Sequence, residues 1–127
     1  MSGFKYIPLQ DLEVYQLARK LSAEAWSIHN ALNYEIKKLM GDQFLRAMDS
    51  VGANIAEGYS RYHYLEKIRF YHIARASLVE ACYHWAQLMH EREVLNTETF
   101  NRINSMYRTL EIKLNNMIKA IRKSMQP

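Results

Sequence analysis

Beyond Phe100 the 127-residue chain carries Arg102, Arg108, Lys113, Lys119, Arg122 and Lys123, with Glu111 as the single acid. That segment holds a charge of +5, while the first hundred residues, with 11 basic and 12 acidic groups, hold −1. Lysine and arginine gathered in this way do one kind of chemistry well: they bind phosphates or other anions. On a helical wheel of about 100° per residue, these six side chains spread over roughly the half-turn opposite Ile103, Tyr107, Leu110, Leu114, Met117 and Ile121. A basic stripe toward solvent and an apolar stripe toward a core are therefore expected of one helix. Ile112 interrupts the stripe and no aromatic residue within it offers a platform for a base. Two readings follow: solubilising charges near the C-terminus, or a surface for the RNA backbone, held with a steep salt dependence and little sequence preference.

Residues for catalysis are not arranged in any recognisable set. A di-iron site in a helical bundle needs Glu-x-x-His pairs on two helices, and the sequence has none. His29, His63, His72, His84 and His90 form neither a His-x-x-His nor a His-Glu-x-x-His pair. Glu80 and His84 are spaced to meet on one helical face, where a partly solvated contact is the plain expectation. Cys82 stands alone among Leu78, Ala81 and Trp85, which reads as a buried thiol in a reducing, cytoplasmic protein. There is no glycine-rich phosphate loop and no nucleophile elbow. The expectation is a protein that is not an enzyme, with no cofactor, metal or small-molecule substrate.

The least generic stretch runs from Gln43 to Glu80. Asn54-Ile55-Ala56-Glu57-Gly58 is followed by Tyr59, Arg61, Tyr62 and Tyr64, then by Glu66, Phe70, Ile73-Ala74 and Ser77-Leu78. From the residues alone this is a helix end and a corner. Gly58 is expected just past the last turn. Glu57 and Arg61 lie four apart, so Arg61 either pairs with Glu57 or holds the final carbonyls. Gly52, Ala53 and Ala56 leave a face without bulk, and Ser50 and Asn54 need partners if buried. Tyr59, Tyr62 and Tyr64 suit either an aromatic cap or an interface.

Taken together, and with the opening Asp11-Leu12-Glu13-Val14-Tyr15, these residues resemble the bacterial four helix bundle protein family. Its members include proteins encoded inside intervening sequences of 23S ribosomal RNA genes, and a related branch serves diversity-generating retroelements. The resemblance implies a bundle that assembles as a homo-oligomer, with a pentamer favoured. For the retroelement branch it also implies RNA and a reverse transcriptase as partners. Leu45-Arg46 stands where the family often has two arginines, Gly52 where it often has proline, His63 where serine is typical and Ala76 where glycine is.

The elements that must position these residues follow from apolar spacing. Val14, Ala18, Leu21, Ala25, Ile28 and Leu32 recur at alternating intervals of four and three, a bundle-type seam. A second helix is expected from about Asn33–Glu35 through Met40, Phe44, Ala47 or Met48, Val51 and Ile55, stopping at Gly58. A third, starting between Arg61 and Leu65, uses Tyr71, Ala74, Leu78, Ala81, Trp85 and Leu88. The fourth follows Asn96 or Thr97, either of which can cap it. Pro8 and Pro127 are the only prolines, so nothing breaks these helices. Connections this short make neighbours antiparallel, and the expected fold is an all-α, up-down-up-down four-helix bundle forming one domain over residues 1–127. The start of the chain lacks the apolar run of a signal peptide, and no stretch approaches the ~18 apolar residues of a membrane span.

Overall fold

The computed structural model describes residues 6–126. The start of the N-terminal stretch read above for a signal, up to Lys5, and Pro127 lie outside them. A 3-10 turn at Leu9–Asp11 leads into α1, Glu13–Asn30. Helix α2 is continuous through three segments: Tyr34–Ile36, a π-helical turn at Lys37–Gly41, and Asp42–Ser60. Helix α3 repeats that construction with Tyr64–Val79, a π-helical segment at Glu80–Ala86, and Gln87–Glu91. Helix α4 is Thr97–Ser124, 28 residues and about 42 Å long at 1.5 Å per residue.

Two asparagines start helices as their position before an apolar seam requires. Asn33 Oδ1 accepts from the Ile36 amide at 2.9 Å, and Asn96 Oδ1 from the Thr99 amide at 2.8 Å. Helix α1 packs on α2 and α4, and α3 on α2 and α4. Paired contacts in reversed order make all four adjacent pairs antiparallel: Ser22–Met48 with His29–Asp42, Ser50–Ser77 with Gly58–Tyr71, Arg75–Asn115 with His72–Arg122, and Glu24–Arg102 with Glu13–Lys113. The fold is thus an up-down-up-down four-helix bundle with no strand among the described residues.

The core is one continuous cluster. Val14, Ala18, Leu21 and Ala25 come from α1, Met40, Phe44, Ala47, Met48, Val51 and Ile55 from α2, and Ile103, Tyr107, Leu110, Leu114 and Ile118 from α4. The seam of α3 departs from the regular spacing. Tyr71, Ala74, Leu78 and Ala81 are buried as expected, with Cys82 beside them, but beyond Cys82 the buried residues are Ala86 and Met89, whereas Trp85 is only partly buried and Leu88 is not in the core. A π turn holds one residue more than an α turn, so the inward positions beyond it move along by one. The same turn sets Trp85 five residues on above Glu80. The indole Nε1–H donates to the Glu80 carboxylate at 2.9 Å, and the expected Glu80–His84 contact gives way to it. On α4, Met117 and Ile121 pack at the margin of the core and Ile118 lies inside it.

Helix α3 ends in a Schellman turn. The Glu93 amide donates to the His90 carbonyl and the Val94 amide to the Met89 carbonyl, with Glu93 at φ 59°. A left-handed φ suits glycine and burdens a side chain, and a carboxylate beside a helix C-terminus opposes the dipole. Glu93→Gly is therefore expected to raise stability by about 0.5–1 kcal/mol despite the added freedom of the unfolded chain. Urea unfolding would measure it, and a destabilised variant would contradict this account of the turn.

Candidate functional site

The corner after α2 is built from Gly58, which lies inside the helix two residues before its end. Among the described residues no glycine has positive φ, so Gly58 is not the left-handed terminator expected from its type. It is glycine because of what lies over it: an added Cβ would fall 2.8 Å from Tyr71 Cε1 and 3.0 Å from Phe70 Cβ. The close approach of α3 buries the Tyr71 ring fully and pushes its hydroxyl pKa up to about 12.

The end of the helix is held by a side chain that sequence reasoning missed. Lys67 Nζ donates to the Tyr59 carbonyl at 2.9 Å and lies 3.5 Å from that of Gly58, and partial burial lowers its pKa. Arg61 instead pairs with Glu57 at 2.8 Å and Glu66 at 3.5 Å and lies over the Phe70 ring at 4.8 Å. The Tyr59 hydroxyl donates to the Ile7 carbonyl, fastening the N-terminal stretch to the corner. Asn54 Nδ2 donates to the Ser50 carbonyl at 2.8 Å and lies 2.9 Å from Ser50 Oγ, which Ser77 reaches from α3 at 3.0 Å. Asn54, Glu57, Gly58, Tyr59 and Arg61 are thus tied into packing. Tyr62, 89 % exposed, and Tyr64, 47 % exposed, face outward.

The six basic residues of α4 do not act as one stripe. Arg102 Nε donates to Glu24 of α1 at 2.7 Å, and Lys113 Nζ to Glu13 of α1 at 3.2 Å, so both are drawn to the α1 side. Arg122 lies against α3, and Arg108, Lys119 and Lys123 are exposed to solvent. Two residues of α3 join them. Arg122 Nη2 donates to His72 Nε2 at 3.0 Å, and Arg75 Nη1 donates to Asn115 Oδ1 at 2.7 Å. Among the described residues no carboxylate is at salt-bridge distance from Arg75, Arg108, Lys119, Arg122 or Lys123. Glu111, the single acid of this part of α4, accepts from the Tyr107 hydroxyl at 2.7 Å. His72 and Arg75, three apart on α3, were the available signal for this extension, though only packing against α4 reveals it.

Elsewhere, Tyr15, Arg19, Ser22, Ala23, Trp26, Asp49, Gly52, Ala53 and Ala56 line a shallow groove between α1 and α2, with Trp26 58 % exposed at its edge. Cys82 is buried and its thiol pKa is pushed up to about 12 by desolvation, which keeps it protonated and unreactive at neutral pH. Among the described residues no three His, Cys, Asp or Glu side chains are gathered to hold a metal ion, and no helix is long and apolar enough to cross a membrane.

Comparison with known proteins agrees with this architecture. A crystal structure of a protein of unknown function from the S23 ribosomal protein family of Bacteroides thetaiotaomicron superposes with a TM-score of 0.77 at 24 % identity, covering 84 % of this chain and 98 % of that one. That likeness is one of fold. No curated protein matches the chain. The model of the 23S rRNA-intervening sequence protein family matches residues 10–116, from the start of α1 through the corner at Gly58 and into α4, and the chain belongs to that family.

Proposed function

We propose that this protein performs no catalysis and acts as an oligomeric assembly or adaptor protein of the cytoplasm, associated with RNA or ribonucleoprotein. The observation that supports the RNA role is the outer side of α4 with its seam to α3, where exposed Arg108, Lys119, Arg122 and Lys123, with Arg75 at the seam, have no carboxylate at salt-bridge distance among the described residues. The family is named for an intervening sequence of 23S rRNA, which supports this reading. A surface of this kind holds phosphates by charge and reads no bases.

A scaffold without a nucleic-acid role is the second reading, favoured by the exposed Trp26 beside a groove floored by Ala23, Gly52 and Ala53. Self-association, with five copies as the favoured number, fits both readings. A reverse transcriptase is the protein partner that the retroelement likeness supplies for the scaffold.

Binding of single-stranded RNA should fall steeply between about 50 and 200 mM salt. Replacing Arg108, Lys119, Arg122 and Lys123 together with glutamine should lower the salt slope by about 3, at 0.7 per lost contact, with helicity unchanged. Lys113 belongs outside this set because Glu13 holds it. RNA that is not retained at ~50 mM salt would leave the scaffold reading alone. Light scattering that returned the 15.1 kDa mass of one chain would remove the oligomer from either.

A further inference from the structure

Across the seam between α3 and α4, a histidine ring is enclosed by positive charge. His72 Nε2 accepts a hydrogen bond from the Arg122 guanidinium of α4 at 3.0 Å, and Arg75 stands one turn along α3 with its guanidinium on Asn115 of α4. An imidazole nitrogen that accepts from a guanidinium carries no proton. The charged groups acting on this ring are Arg75 from its own helix and Arg122 from the helix packed against it, and Asn115, the partner of Arg75, is neutral. Among the described residues no carboxylate is at salt-bridge distance from any of the three. Two guanidiniums whose hydrogen-bond partners are both neutral, with no carboxylate at salt-bridge distance, are an arrangement that an external anion would complete.

Resting on the RNA reading above, we infer that His72, Arg75 and Arg122 form one phosphate-contacting cluster across the α3–α4 seam, in which a proton on His72 adds a third charge and tightens the hold on the RNA backbone. Protonation at Nε2 turns the ring from acceptor to donor, so the Arg122 bond is lost and both groups turn their N–H bonds outward. A phosphodiester, which keeps its negative charge at the same pH, accepts from them. Arg75 stays anchored through Asn115 and supplies a positioned donor.

The direction of the pH dependence follows from the surroundings of the ring. Burial first, then Arg75 and Arg122, lower the His72 pKa from its ordinary 6.5, so the unliganded protein resists the proton. A bound phosphate offsets the two arginines and raises that pKa, so binding takes up a proton. Affinity therefore rises as the pH falls through the range between the free and bound values.

The test uses the full chain and an oligouridine of about 20 nucleotides, longer than the footprint of one small domain, at low salt. Affinity is measured at about pH 7.5 and about pH 5.5, either side of an ordinary histidine. The wild type should bind about fivefold tighter at the lower pH, the upper worth of one exposed charge pair. His72→Gln should lose that tightening, and Arg122→Gln should bind more weakly at both pH values. NMR titration of the His72 ring should give a pKa that rises when the oligonucleotide is added and also rises in Arg122→Gln.

Wild-type affinity that is the same at both pH values, or a His72→Gln variant with the wild-type pH response, would overturn this inference while leaving the RNA reading in place. No binding at either pH would remove the RNA reading and this inference together. If inorganic phosphate raised the His72 pKa as far as the oligonucleotide does, the cluster would be a small-anion site and the assignment to a polynucleotide would fail.

Discussion

Deletion of His84 from α3 is expected to leave a folded, cooperatively unfolding bundle, whereas deletion of Thr109 from α4 is expected to abolish it. Both residues are exposed, so side-chain burial does not separate them. The separation lies in helix register. Removing one residue from an α-helix turns everything beyond it by about 100° relative to the core. In α4 the buried residues Phe100, Ile103 and Tyr107 lie before Thr109, and Leu110, Leu114 and Ile118 after it. Whichever half keeps its place, three side chains on the other leave the core, at about 1.5–3 kcal/mol each. The sum, roughly 5–9 kcal/mol, is comparable with the whole stability of a domain this size.

His84 sits inside the π-helical segment Glu80–Ala86, where the helix already carries one residue too many for α geometry. Without it, Ala86 and Met89 would fall four and seven positions after Ala81, continuing the regular seam set by Tyr71, Ala74 and Leu78. The expected cost is under about 2 kcal/mol, from the lost packing of the imidazole on Trp85 and local rearrangement around Tyr83. Urea unfolding followed by circular dichroism distinguishes the two variants. Equal loss of structure in both would show that the π segment is fixed by its surroundings and does not behave as a single inserted residue.

This register shift also marks what was legible beforehand. Apolar spacing located all four helices, and the capping type of Asn96 or Thr97 located the start of α4, because caps and seams are local properties. The third seam misled at Trp85 and Leu88 because the three-four spacing continues unbroken through the π segment. Both the expected set and the set one residue later, Ala86 and Met89, are apolar, and only the packing against α2 and α4 chooses between them.

The basic face was legible as a charge count and illegible as a surface. Angles around one helix separate the apolar side of α4 from its charged side, but not the flank facing Glu13 and Glu24 from the flank facing His72 and Arg75. Those partners come from α1 and α3, at sequence separations that no pattern within α4 encodes. Lys67 escaped notice for the same reason: a lysine in the first turn of α3 bonds carbonyls at the end of α2 only because the corner between them is tight.

Substituting alanine at two glycines of α2 is expected to give stability changes of opposite sign. Both Gly52 and Gly58 are buried in helical backbone, where alanine is intrinsically better by about 1 kcal/mol. At Gly52 a methyl group would meet Ala18 Cβ at 3.7 Å and Tyr15 Cε1 at 3.8 Å, ordinary contacts, so Gly52→Ala should stabilise by about 0.5–1 kcal/mol. At Gly58 the methyl would lie 2.8 Å from Tyr71 Cε1, on a ring that is fully buried and has no room to swing away, and 3.0 Å from Phe70 Cβ. Helix α3 would have to back off, loosening the Lys67 bonds to the Tyr59 and Gly58 carbonyls and the stacking of Arg61 on Phe70. Overpacking of this kind costs about 1–3 kcal/mol, and the lost cap adds about 1 kcal/mol, so Gly58→Ala should destabilise by about 2 kcal/mol after the helical gain. Tyr71→Leu removes the ring atom that clashes, and in that background the Gly58→Ala penalty should shrink, a coupling that a double-mutant cycle measures. Were the Gly58→Ala cost identical with tyrosine or leucine at position 71, the close approach of that ring would not be the reason for glycine.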